Sequence, residues 1–448
     1  MSWRALLWRQ GPVRLDDGDA PAVPSSRVTG AKAAYIVTFA AEAIVAVSYL
    51  MVFRIVAHRS GAQGFGEYAL SRRTLSLLGP VCSVSLDVAV ARYVSYGGRP
   101  GHAPAGSYLS AALLLLGGVT IPATAVLLGF APFWANLFFG GPQYVGPLTA
   151  VPLLLAGINL HAVIYGYFRG RLWLGRASVL TVVNQGVVPI VAALSSNGSV
   201  TRLLFIMGGL WLLISLAVLA LTPLSFSKLR LGFRQLVRYG AARVPGDQFR
   251  LALLALPSIF IAHVSGIKDA GVVAFGVAVL GLAATSLMPV SLVLLPVAAR
   301  YISAGERHNL RIHVLRLAAV ATGALILFLI VFEAFTTFIV TSYLGPDFVS
   351  NIILLRVTMI GVLPWGLYII LRSVIDAHHT RAVNGRNSAV AFACFISIAV
   401  ATRIMAPSTI GIVVAFVAGL WVLGVLTVFE CLKVLRVQGV TSEGTSSV

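Results

Sequence analysis

Acidic residues are scarce in this chain. Of 448 residues only 14 are Asp or Glu and 33 are Lys or Arg, so charged side chains make up 10%. Soluble domains carry about 25%, and so little charge cannot clothe two or three water-soluble globules in polar surface. Cysteine is just as sparse. Cys82, Cys394 and Cys431 lie far apart inside apolar runs, which excludes a disulfide framework and a metal-spaced cysteine pair. Neither a GxxxxGK[ST] phosphate loop nor an HExxH motif occurs, so ATP hydrolysis by the P-loop route is excluded. The opening MSWRALLWRQGPVRLDD has no unbroken apolar core with a small-residue cleavage site, unlike a cleaved signal peptide. Its Trp3, Leu6, Leu7 and Trp8 suit a tail lying on a membrane surface.

What the chain does have is apolar length. It is 58% hydrophobic, and a membrane-spanning helix takes roughly 20 apolar residues. Twelve such helices account for that fraction. The predicted fold class is all-α integral membrane, with spans near 31–53, 69–91, 107–131, 146–168, 177–195, 203–222, 248–265, 271–297, 313–335, 350–372, 387–405 and 410–431. Pro80, Pro122, Pro152, Pro189, Pro257, Pro289 and Pro364 fall inside spans, where they free backbone carbonyls and permit kinks.

The net charge of +19 would suggest nucleic acid in a soluble protein. Here the basic residues fall in short loops between apolar runs, so they report topology and imply no nucleic-acid partner. With the N-terminus in the cytosol, the cytosolic loops collect Arg92, Arg99, Arg169, Arg171, Arg176, Lys228, Arg230, Arg234, Arg238, Arg243, Arg300, Arg307, Arg311, Arg381, Arg386, Lys433 and Arg436. The outer loops keep little beyond Arg54, Arg59, Arg202, Lys268 and Arg403. Both termini are expected in the cytosol and the chain in the plasma (inner) membrane.

An internal repeat underlies the spans. Phe65-Gly66 matches Phe275-Gly276, Ala91-Arg92-Tyr93-Val94-Ser95 matches Ala299-Arg300-Tyr301-Ile302-Ser303, and Gly141-Pro142-Gln143-Tyr144-Val145 matches Gly345-Pro346-Asp347-Phe348-Val349. Six spans per copy is an even number, so both copies share one orientation, as in transporters built from parallel repeats. The expected organisation is a cytosolic tail (1–30), a first six-helix bundle (31–224), a basic cytosolic linker (225–246), a second six-helix bundle (247–432) and a disordered cytosolic tail (433–448).

At these anchors the sequence resembles the multidrug/oligosaccharidyl-lipid/polysaccharide (MOP) exporter superfamily, nearest its Wzx-type polysaccharide flippase branch. GAQGFGEYAL, the closing ARYVS, FFGGPQYVGPLTAVPLLL, RQLVRYGAARVP and YLGPDFVSNIILL carry the resemblance. It implies two parallel six-helix bundles in a MATE-like V. It also implies translocation of a polyprenyl-diphosphate-linked oligosaccharide to the outer leaflet by alternating access, for cell-surface polysaccharide synthesis. Implied partners are that lipid-linked glycan, membrane lipids, and a polysaccharide polymerase or glycosyltransferase. One departure is Leu86-Asp87, where the family usually has Leu-Gly.

Charges inside spans are costly and normally face a cavity or a partner. Arg72 and Arg73 suit diphosphate oxygens, or else snorkel to headgroups. Arg356, two turns into span ten, suits cavity contact or a carboxylate pair, whereas Glu333 and Glu430 near span ends are expected to be solvated. Arg54 and Arg59 fit headgroup anchors. Glu42, mid-span among Ala and Val, is the candidate for coupling to H⁺ or Na⁺, against a salt bridge to an Arg of span two. Asp87, Asp247 and Arg250 form a candidate cytosolic gate. Asn184, Gln185, Asn159 and His161 could bind sugar hydroxyls, or join helices. No cofactor is expected. No metal site is expected either, since Asp376, His378 and His379 sit in a loop. The rival expectations are a cation-coupled multidrug exporter, which should carry acidic cavity residues, and a major-facilitator transporter, whose usual loop after span two is replaced by SYGGRPGHAPAG. A third is a membrane glycosyltransferase or polymerase, which needs catalytic residues in a sizeable outer loop. The outer loops here are short and nearly free of carboxylates, so no enzymatic activity is expected.

Overall fold

The computed structural model describes residues 25–378 and 383–436. Most of the two expected tails, and with them His379 and Arg381, lies outside the described residues. All regular structure among the described residues is helical.

The first helix, α1 (Ser25–Ser83), runs for 59 residues. Straight, it would reach roughly 90 Å, about three times the hydrocarbon core. Gly61 breaks it with φ 66 and ψ −173, a combination open essentially to glycine alone. Phe53 stacks on Phe65 (5.6 Å) and on Tyr68 (5.5 Å), and Arg72 lies 4.1 Å over the Tyr49 ring. In a straight helix residues 49 and 72 would stand about 35 Å apart. The chain therefore reverses at Gly61, and α1 is a hairpin holding spans one and two. Eleven helical stretches among the described residues are long and apolar enough to cross a membrane, and the first of them, folded back at Gly61, holds the first two of the twelve expected spans.

Then come α2 (Leu86–Ser95), α3 (Ala105–Gly129), α4 (Ala131–Phe139), α5 (Val145–Gly170), α6 (Leu174–Thr181), α7 (Val188–Ser195) and α8 (Val200–Ala220). The long α9 (Leu229–Val264) follows, with α10 (Ile267–Thr285), α11 (Met288–Ser303), α12 (Arg307–Ile339), α13 (Ile352–Ile360), α14 (Val362–His378), α15 (Val383–Met405) and α16 (Thr409–Leu435). The basic stretch at 225–246 is not a separate connection: from Leu229 it is the first half of α9 and runs unbroken into span seven.

Four spans are interrupted, each close to a proline. Span two breaks at Val84 and Ser85, both at positive φ, one turn after Pro80. Span five passes through a π-helical turn, Val182–Val187, just before Pro189. Span eight breaks between Thr285 and Met288, before Pro289, and span ten at Gly361, before Pro364. A proline removes one N–H and crowds the preceding turn. Pro122, Pro152 and Pro257 sit inside unbroken helices instead.

The repeat is visible in local structure. The matched ARYVS and ARYIS segments both close a helix, at Ser95 and Ser303. Ser95 Oγ donates to Arg92 O (2.6 Å) and Ser303 Oγ to Arg300 O (2.9 Å), one bond made twice. Both Gly-Pro anchors open a 3₁₀ turn, Pro142–Tyr144 and Pro346–Asn351.

Two compact units result. Described residues up to Gln248, with Ser258–Gly271 and Tyr343–Asp347, form the first; Phe249–Pro257, Val272–Ser342 and those from Phe348 onward form the second. In the first, α5 lies along α8 and against α2, burying Leu86, Val90, Tyr108, Ile164 and Leu236. In the second, α16 packs on α14 and α15, and Leu310, Val314, Ile370 and Cys431 fill a core beside α12.

Candidate functional site

The first unit collects most of the polar groups that apolar helices carry at a cost. Arg72 is held by an aromatic ring. Its guanidinium lies 4.1 Å over the centroid of Tyr49 and donates to the Tyr49 hydroxyl. Arg72 Nη1 is buried with no hydrogen-bond partner, and no carboxylate comes within ion-pair distance of Arg72 among the described residues. A half-buried cation with a buried, unused donor is an anion-seeking group. Burial of Nη1 also means that this side chain does not snorkel to the headgroups. Arg73 follows about 100° round the helix, and its carbonyl accepts from Ser76 Oγ (2.8 Å). Arg59, expected as a headgroup anchor, donates to Leu194 O (2.8 Å).

A second polar group is built on the π-turn of span five. Widening the helix by one residue leaves a carbonyl without its usual i+4 partner, and Trp211 of α8 donates its indole N–H to Asn184 O. The Asn184 amide lies 3.1 Å from Ser215 Oγ and 3.2 Å from His161 Nδ1, while Gln185 Nε2 is 3.0 Å from His161 Nε2. A neutral imidazole has one donor and one acceptor, so one of the two amides must turn its oxygen to the ring. Asn184 is fully buried. It joins α5, the π-turn and α8 rather than facing an opening.

Charged groups form a chain in the same unit. The cation whose field reaches Glu42 is Arg169, at the end of α5, not an arginine of span two. Arg169 stands 5.6 Å over the Tyr165 ring, and Tyr165 stacks 6.0 Å from His161. Tyr165 lies within the fields of both Glu42 and Asp87, and Asp87 within those of Arg243 and Asp247. Asp247 pairs with Arg243 (2.9 Å). Asp87 and Asp247 thus share one neighbourhood inside the first unit, whereas Arg250 belongs to the second.

In the second unit Arg356 meets a carboxylate. Its Nε stands 3.4 Å from Glu333 Oε2, and Glu333 keeps about a third of its side chain exposed, as its place near a span end suggested. Glu430, also expected to be solvated, is buried and bound by Arg386 (2.8 Å) and Lys433 (3.2 Å). Asp376 accepts from Asn384 Nδ2 (2.7 Å). Among the described residues no three His, Cys, Asp or Glu side chains gather as a metal site would need.

Sequence reading missed Tyr49, Arg169, Ser215 and Trp211. Arg169 was legible only as a loop charge, and nothing in the residues around Tyr49 distinguishes it from a core aromatic.

Long apolar helices in two copies of one plan define a multi-pass α-helical membrane protein. Solved structures place that fold. An inward-facing MATE multidrug resistance transporter of the MOP superfamily superposes with TM-score 0.70 at 13% identity, over 89% of this chain and 96% of its own. The lipid II flippase MurJ, in an inward closed conformation, gives TM-score 0.70 at 13% identity over 89% and 90%. The Vibrio cholerae MATE transporter VcmN gives 0.58 at 18% identity over 92% and 98%. The fold is therefore that of the MOP transporters, which the sequence anchors resemble. No family model matches. Stage V sporulation protein B of Bacillus subtilis is 25% identical over 134 residues, 30% of this chain, and the aligned stretch spans 26% of that protein's length.

Proposed function

We propose that this chain is a flippase that carries a polyprenyl-diphosphate-linked oligosaccharide from the cytosolic to the outer leaflet, for cell-surface polysaccharide synthesis. The observation that carries the reading is Arg72, a half-buried cation set on Tyr49 whose buried Nη1 has no hydrogen-bond partner and which has no carboxylate at ion-pair distance among the described residues. Such a group favours an anionic headgroup over a cationic drug. Likeness of fold to a lipid II flippase supports a lipid-linked cargo. Arg73 would share the headgroup. Arg356 would reach it only by leaving Glu333. Glu42, within the field of Arg169, would take up H⁺ or Na⁺ to drive the cycle, and Asp87 with the Arg243–Asp247 pair would gate the cytosolic side. A polymerase or glycosyltransferase would work next to it.

A second reading, a cation-coupled multidrug exporter, is favoured by Glu42 and by the equally high likeness to a MATE transporter. The two are separated by extracting lipids from a depleted strain and weighing the polyprenyl-linked pool by mass spectrometry. A flippase leaves one polyprenyl-diphosphate glycan accumulated and its surface product lost, and Arg72→Ala with Arg73→Ala reproduces that defect at normal protein level. An unchanged pool, with no paralogue present, moves drug export to the front.

A further inference from the structure

The second unit carries an apolar groove that the transport reading does not use. It is a cavity of about 490 Å³ between α12, α14 and α16. Its floor is one face of α12, where Ala318, Ala319, Thr322 and Gly323 succeed one another at helical spacing. These small side chains make the hollow. A Cβ built on Gly323 would meet no atom within 4 Å. Leu371 of α14 and Cys431 of α16 form the walls.

From Val314 to Ile326 the groove follows thirteen residues of α12, a rise of roughly 18 Å. One leaflet of hydrocarbon is about 15 Å deep, half of a core of about 30 Å. The groove therefore matches a single acyl chain lying in a single leaflet, and a long prenyl tail would overrun it.

Its mouth is basic. Arg311 stands one turn before Leu315 of the α12 wall, and Arg436 one turn after Leu432 of the α16 wall. Arg307 Nη1 donates to Arg436 O (3.3 Å), which ties the start of α12 to the end of α16 at this rim. Arg311 and Arg436 are both exposed, and among the described residues neither has a carboxylate within ion-pair distance. Two guanidinium groups above a leaflet-deep apolar slot match a phosphate headgroup above an acyl chain.

We propose that this groove is a binding site for a resident anionic phospholipid, its chain between α12, α14 and α16 and its phosphate held by Arg311 and Arg436. The lipid would brace the three helices without being cargo.

The test reconstitutes the full chain in vesicles of equal phosphatidylglycerol and phosphatidylcholine, re-extracts it, and counts retained lipid by native mass spectrometry. The wild type should keep one phosphatidylglycerol per chain, with about tenfold preference over phosphatidylcholine, whose choline cation is repelled by the two guanidinium groups that hold the phosphate. Gly323→Leu, which fills the slot, should abolish retention. Ala319→Phe repeats that arm if Gly323→Leu is not monodisperse. The Arg311→Gln/Arg436→Gln pair should keep a lipid but lose the preference. Equal retention of both lipids by the wild type, or undiminished retention by the filled variants, overturns the site. Displacement of phosphatidylglycerol by equimolar undecaprenyl diphosphate overturns the assignment to a phospholipid and makes the groove a carrier-tail site.

Discussion

Gly66 is packed so closely that its missing side chain sets the approach of two segments. A Cβ there would stand 2.1 Å from Ile267 O, and one on Gly271 would stand 2.7 Å from Gly66 Cα. Backbone cannot yield as a side-chain tip can. Gly66→Ala should therefore cost about 1–3 kcal/mol, read as a lower unfolding temperature of the purified protein in detergent. Gly281 is the control, since nothing lies within 4 Å of its Cβ position. In that helix interior Gly281→Ala should gain about 0.5–1 kcal/mol. The same contrast separates the arginines. Arg72 and Arg356 both read as buried cations from the sequence, yet one rests on Tyr49 and the other on Glu333. Each finds its partner 23 residues earlier in the sequence, and spacing along one helix does not report which residue that will be.

Elements show the same division. Twelve crossings follow from apolar run length, and the spans drawn from hydropathy fall on the helices observed. Hydropathy did not show that spans one and two are a single helical stretch folded back at Gly61. Gly61 has open space around it, so its requirement is conformational, not steric. Gly61→Ala should cost about 1–3 kcal/mol, measured by thermal unfolding, and should leave the contacts of Tyr49 with Arg72 intact. The π-turn of span five is equally silent in the sequence. Val182–Val187 has an ordinary apolar pattern interrupted by Asn184 and Gln185, and only the neighbouring Trp211 and His161 explain why a widened turn is stable there.

At the scale of the whole molecule, the basic residues make an orientation testable without any ligand. A green fluorescent protein fused after Val448 should fluoresce and an alkaline phosphatase fused there should be inactive, as the positive-inside rule requires; the reverse pair of results would invert every leaflet assignment made above. The sequence by itself determined the solvent, the number of crossings and the duplication. Those rest on composition, run length and order, which are local or additive along the chain: the ARYVS and ARYIS segments close their helices with the same serine bond because each bond spans three residues. Tertiary structure decided which charges are neutralised, which remain free to bind, and where small residues leave a hollow. Arg72 over Tyr49, Arg356 beside Glu333, and the groove over Gly323 depend on how helices distant in sequence are rotated about their axes, and that rotation is fixed by packing among all of them at once.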